Sequence, residues 1–155
     1  MTQVTDGDMA PDFTLPTNGD GTFTLSAQAG PVVVYFYPKD DTSGCTKEAQ
    51  HFTEFRGQFD ALGVAIIGIS PDTVAKHDKF IAKYELGVAL GADTEKQVVE
   101  AYGVWVEKSM YGRKYMGVER STFLIDSAGR IARAWRKVKV PGHVEQVLEA
   151  AKSLS

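Results

Sequence analysis

A single cysteine, Cys45, occurs among the 155 residues, so no disulfide can close within the chain. Stability must then come from an apolar core, and a reducing compartment, the cytoplasm, is the expected setting. No apolar run approaches the ~20 residues needed to cross a bilayer, and the opening stretch MTQVTDGDMAPDF has neither a basic start nor an apolar core of leader length. An excess of one charge is also missing. Seventeen basic against twenty acidic residues leave a net charge of −3, too weak and too mixed to draw nucleic acid or an anionic membrane as partner. The three histidines, His51, His77 and His143, show no metal-ligand spacing with one another or with Cys45, so no metal or other cofactor is expected. There is no repeat, linker or low-complexity segment, and residues 1–155 read as one domain.

What is present is a regular alternation of elements. DFTLP and TFTLS flank TNGDG, whose Asn, Asp and Gly residues suit a hairpin turn. PVVVYFYP is continuous in β-branched and aromatic residues and bounded by Pro31 and Pro38, the pattern of a strand covered on both faces. From about Cys45 the spacing becomes helical, with Ala49, Phe52, Phe55 or Arg56, and Phe59 recurring at three and four. GVAIIGIS is a second buried strand, and PDTVAKHDKFIAKYEL predicts a helix with Pro71 at its first position. GVAL predicts a short strand and DTEKQVVEAYG a helix; VERSTFLID and GRIARAWRK flank the turn DSAG; PGHVEQVLEAAKSL closes as a helix. MYGRKYMG reads equally as an aromatic rim to a site or as a glycine-flanked loop. The run Arg130, Arg133, Arg136, Lys137, Lys139 falls on a hairpin strand, where charge keeps an edge from pairing with other chains. The order predicts an α/β fold: a mixed central β-sheet with helices on both faces and an N-terminal β-hairpin.

Cys45 shares a stripe with Ala49 and Phe52, and unpaired cysteines are among the most buried residues. Its place in a first helical turn argues differently, because unsatisfied N–H groups and the positive end of the helix dipole favour the reactive thiolate. Thr42, three residues earlier, either caps the helix or faces the sulfur; Pro38 either just ends the strand or walls the sulfur from water. Activation alone is not enough. Lowering a generic thiol pKa from ~8.5 to ~6 raises the thiolate fraction at pH 7 about thirtyfold, but a Brønsted slope of ~0.45 costs about tenfold in nucleophilicity. A fast thiol needs donors aimed at the leaving group as well.

Pro38, Thr42 and Cys45 reproduce the Pro-x-x-x-Thr-x-x-Cys signature of peroxiredoxins, and YFYPKDDTSGCTKEA resembles the bacterioferritin comigratory, or PrxQ, subfamily. APDFTLP resembles the family's opening and MYGRKYMGVERSTFLID its later block. The resemblance implies a thioredoxin-like fold and a thiol-dependent peroxidase reducing hydrogen peroxide and organic hydroperoxides. Cys45 would be the peroxidatic cysteine, oxidised to a sulfenic acid; Thr42 would bond the peroxide, Pro38 shield the pocket, Arg120 supply the family's arginine and Glu48 orient it. One departure stands out. Where many relatives carry a resolving cysteine five residues later, this chain has Gln50, and the next helix has no cysteine either. A one-cysteine mechanism follows, with thioredoxin, glutaredoxin or glutathione as external reductant and a Cys45-linked dimer as a side product of a monomer. A thiol–disulfide oxidoreductase would need a Cys-x-x-Cys pair, and Thr42 occupies its first position. The remaining rival is a non-enzymatic redox sensor or chaperone-like module using the same thiol.

Overall fold

Five consecutive residues, Val32–Phe36, are buried, and this strand, β3, lies inside the sheet because both of its faces are made of β-branched and aromatic side chains. The computed structural model describes residues 4–154; the first three residues of the polar start and Ser155 lie outside them. β3 pairs in parallel with β4 (Ala65–Ser70) and antiparallel with β8 (Ser121–Ile125). Outward from β4 come β5 (Ala89–Ala92), β1 (Thr14–Thr17) and β2 (Gly21–Thr24); β9 (Ile131–Trp135) lies beyond β8. The expected N-terminal hairpin is β1 and β2, closed at Thr17 and Gly21, and the DSAG turn joins β8 to β9.

Alternate residues of β3 supply two cores. Val33 and Tyr35, with Tyr37 just past the strand's end, pack with α1 (Ser43–Ala61), Phe80 of α2 (Val74–Tyr84) and α4 (His143–Lys152), while Val32, Val34 and Phe36 pack with α3 (Gln97–Ala101) and Phe13. Helices therefore cover both faces, as predicted. Tyr35 stacks on Phe52 at 4.6 Å between centroids, and its ring occupies the space a side chain at Gly68 of β4 would need. A Cβ there would lie 2.5 Å from Tyr35 Cζ, so Gly68→Ala is expected to destabilise the protein by roughly 2–3 kcal/mol, read as a lower midpoint in urea.

Four local expectations change. Pro71 lies outside α2, which begins after Thr73, because the Thr73 hydroxyl accepts from Lys76 N at 3.2 Å and makes the stronger start signal. The strand expected at GVAL is shifted to Ala89–Ala92, where it pairs with β4. α3 starts only at Gln97, since the Asp93 carboxylate accepts from Val98 N and Val99 N and holds residues 93–96 as a turn. MYGRKYMG is neither loop nor rim alone. It is the tip of a hairpin, β6 (Trp105–Met110) and β7 (Arg113–Val118), turned by Tyr111 and Gly112, both at positive φ. The free side of β9 is covered partly by the chain itself: Gly7 N donates to Ile131 O, Ile131 N to Asp8 O, and Arg136 Nη2 to Val4 O. Of the basic run expected on this strand only Arg133 lies on β9; Arg130 and Arg136, just outside it, bond the N-terminal segment that covers the edge, and Lys137 and Lys139 lie beyond the strand.

Candidate active site

The helix carrying Cys45 begins where β3 has run out. Thr42 is extended, and Thr46 N donates to its carbonyl at 2.8 Å, so Cys45 stands in the first turn of α1. The hydroxyl of Thr42 does not cap the helix. It donates to Lys39 O at 3.0 Å, which folds the loop after Pro38 and leaves the oxygen's lone pairs as acceptors. Cys45 is 2% exposed and packs in the same core as Ala49 and Phe52, so the stripe seen in the sequence is real.

Arg120 arrives from far along the chain, at the start of the strand next to β3. Ser121, the first residue of β8, pairs with Phe36, the last of β3, so the residue just before it stands beside the segment leading into α1. Val138 N fixes its backbone by donating to Arg120 O at 2.9 Å. From there Arg120 Nη2 donates to Cys45 Sγ at 3.3 Å and Nη1 to Glu48 Oε1 at 2.7 Å. One planar guanidinium therefore spans sulfur and carboxylate, an arrangement a lysine's single ammonium would not reproduce. Gly44 makes room for it: a Cβ at that position would lie 3.1 Å from Nη2. The sequence offered no reason to single out Gly44, whose role appears only once Arg120 is placed.

Burial pushes the Glu48 carboxyl up to about 7, with the Arg120 charge pulling the other way. Burial also works against the Arg120 cation, yet Glu48 and Cys45 outweigh it and the guanidinium is held more firmly protonated than usual. His143 is pushed down to about 4 by burial and by Arg120, so it is neutral at pH 7 and bonded to Thr122. Lys108 of β6 is lowered by burial first and then by Arg120. Among the described residues no three His, Cys, Asp or Glu side chains converge as metal ligands. The arrangement sets one sulfur beside a cationic donor.

The raised Glu48 carboxyl has a consequence for stability. A carboxylic acid that ionises at about 4.5 when unfolded and at about 7 when folded takes up a proton on folding between those values. Stability is expected to fall as pH rises through that window and then to level off. In Glu48→Gln this component of the slope should be missing; urea midpoints at pH 5 and 8 measure it.

A family model described as AhpC/TSA matches residues 7–134. The chain belongs to that family. Within it, peroxiredoxin Bcp of Bacillus subtilis is 47% identical over 150 residues, covering 96% of each chain. PrxQ of Xylella fastidiosa superposes with a TM-score of 0.92 at 38% identity, covering 99% of this chain and 98% of its own. The bacterioferritin comigratory protein of Xanthomonas campestris gives 0.87 at 44% identity, covering 91% of this chain and 90% of its own. This family member is therefore a thiol-dependent peroxidase of the Bcp/PrxQ group with the thioredoxin-like fold of its relatives. The Xanthomonas protein has been solved with either of two different cysteines replaced by serine, whereas this chain has only Cys45. No helix among the described residues is long and apolar enough to cross a membrane.

Proposed function

We propose that Cys45 is the peroxidatic nucleophile and that Arg120, Thr42, Pro38 and Glu48 serve it. The Cys45 thiolate attacks one oxygen of a hydroperoxide; the S–O bond forms, the O–O bond breaks, and the departing oxygen takes a proton to leave as water or an alcohol. Arg120, donating to the sulfur at 3.3 Å, is placed to stabilise the charge that moves from sulfur toward that oxygen. Thr42, its own hydrogen committed to Lys39 O, offers lone pairs to the peroxide O–H. Pro38, half-buried and without an N–H, limits water at the entrance. Glu48 fixes the plane of the guanidinium. The observation that carries this reading is the two-pronged contact of Arg120 with Sγ and Glu48.

The sulfenic acid has no second cysteine to trap it. An external thiol attacks it, water leaves, and a mixed disulfide forms that a second thiol resolves. Glutathione, glutaredoxin or thioredoxin serves as that thiol, which suits a reducing cytoplasm. Because Sγ is buried, a protein reductant requires residues 42–49 to unwind, as does a Cys45-linked dimer of what is otherwise a monomer. The substrates are hydrogen peroxide and organic hydroperoxides, the second supported by the alkyl peroxide reduction studied in the Xanthomonas relative.

Intact-mass measurement tests the cycle. One equivalent of peroxide should add one oxygen, glutathione should convert that species to an adduct and then to the starting mass, and excess peroxide should add two oxygens irreversibly. Oxygen appearing on methionine while Cys45 still reacts with a thiol reagent would sink the proposal. Turnover with excess peroxide and reductant separates the enzyme from a sensor, which oxidises once and stops.

A further inference from the structure

Behind the Cys45 loop lies a buried polar cluster that the peroxide chemistry does not use. His77 of α2 is fully buried, with Nδ1 2.6 Å from Asp40 Oδ2 and Nε2 3.0 Å from the carbonyl oxygen of Gly91. A carbonyl oxygen only accepts, so Nε2 must carry a proton to use that contact. The 2.6 Å contact at the other nitrogen needs a proton as well, because an imidazole lone pair facing a carboxylate lone pair would be repulsive and buried. Together His77 and Asp40 hold one proton more than a neutral imidazole beside a free carboxylate. Tyr37 supplies a further donor, its hydroxyl 2.5 Å from Asp40 Oδ1.

The same cluster grips the backbone next to the reactive sulfur. Asp40 N donates to Asp72 Oδ2 at 2.8 Å, and Ser70 Oγ donates to that same oxygen at 2.7 Å. The next residue, Asp41, has a left-handed backbone at φ 60 and is held by Lys83 Nζ at 2.8 Å and the Tyr84 hydroxyl at 2.5 Å, both from α2. Such a conformation costs energy and persists where neighbours enforce it. Asp40 and Asp41 lie between Lys39, whose carbonyl receives the Thr42 hydroxyl, and Thr42 itself. A chain of contacts thus runs from His77 through Asp40 to the loop that orients Thr42.

We propose that His77 and Asp40, sharing a proton, are positioning residues that hold residues 38–42 in the arrangement that reacts with peroxide, and that releasing this clamp frees the loop for the reductant. The inference rests on Cys45 being the peroxidatic residue. The charged and titratable groups around the pair are Tyr37 and Tyr35 from β3 and its end, Asp72 with Lys76 3.9 Å from it, and, one step outward, Asp41 with Lys83 and Tyr84. Among the described residues, His77 is the one basic side chain in contact with the Asp40 carboxylate. Lys83 does the corresponding work for Asp41, the next residue of the same loop.

Nitrogen-15 NMR of the His77 ring in the reduced wild-type protein at pH 7–8 tests the proton count without any substitution. Both ring nitrogens should report attached or shared protons, and a ring with one bare nitrogen would overturn the pair. Asp40→Asn, which keeps shape and most hydrogen bonds, and His77→Gln should each slow Cys45 oxidation by hydrogen peroxide about ten- to a hundredfold, the range expected for a displaced reacting group. Both variants, verified as folded by circular dichroism, should at the same time react faster with a bulky disulfide reagent as the loop opens. Residues that were only structural would not move the two rates in opposite directions. Unchanged oxidation rates in both variants refute the clamp, whereas a wild-type protein that fails to consume peroxide refutes the peroxidase assignment of Cys45 instead.

Discussion

Cys45→Ser is expected to reduce peroxide consumption by at least roughly a thousandfold, the scale on which removal of a nucleophile is felt. Serine has nearly the shape of cysteine, and the site is a buried seat among Ala49 and Phe52, so the fold should survive with a small loss of stability. Its hydroxyl remains protonated at neutral pH and is a far weaker nucleophile even when Arg120 donates toward it. A coupled assay with peroxide and glutathione or thioredoxin measures the loss. Activity above a tenth of wild type would mean that another group does the chemistry, and no second cysteine exists to take the role.

Arg120→Met should slow the oxidation of Cys45 by about 10²-fold, in line with removal of one donor from a site where charge develops. Methionine retains an apolar stem to fill the space, so the loss reflects the missing guanidinium rather than a cavity. The variant also strips Glu48 of its partner, and the carboxyl, fully buried, should then be held protonated. Adding Glu48→Gln to Arg120→Met should change the rate little further if, as proposed, Glu48 acts through Arg120. Stopped-flow oxidation of the two variants separates these effects. A wild-type rate in Arg120→Met would remove the arginine from the reaction.

The central strand, the helix at Cys45 and the closing hairpin and helix were legible because each rests on a local pattern: an apolar run, a 3.6-residue stripe, a turn of Asp and Gly. Thr42 was rightly placed at the helix boundary, yet which atom its hydroxyl bonds depends on the position of Lys39 O, a property of the folded loop. The β6–β7 hairpin escaped because its turn is Tyr111–Gly112, a pair whose left-handed conformations are not announced by Asn or Asp. The contact of Arg120 with Glu48 was reached through family resemblance, since nothing in either residue's neighbourhood points to a partner 72 positions away. The pairing of His77 with Asp40 is not legible in the sequence for the related reason that metal-ligand spacing does not mark a histidine whose partner is a single carboxylate. The acidic pair between Pro38 and Thr42 was the only available sign, and in a loop it reads as solvated charge.

The pairing of Phe36 with Ser121 has a further consequence during synthesis. Cys45 leaves the ribosome long before Arg120, which lies 75 residues later, and the guanidinium reaches the sulfur only after β8 has inserted beside β3. A half-made chain therefore exposes an ordinary thiol without its cationic donor. On the role proposed for Cys45, the full reactivity of its sulfur toward peroxide therefore waits on the insertion of β8 beside β3.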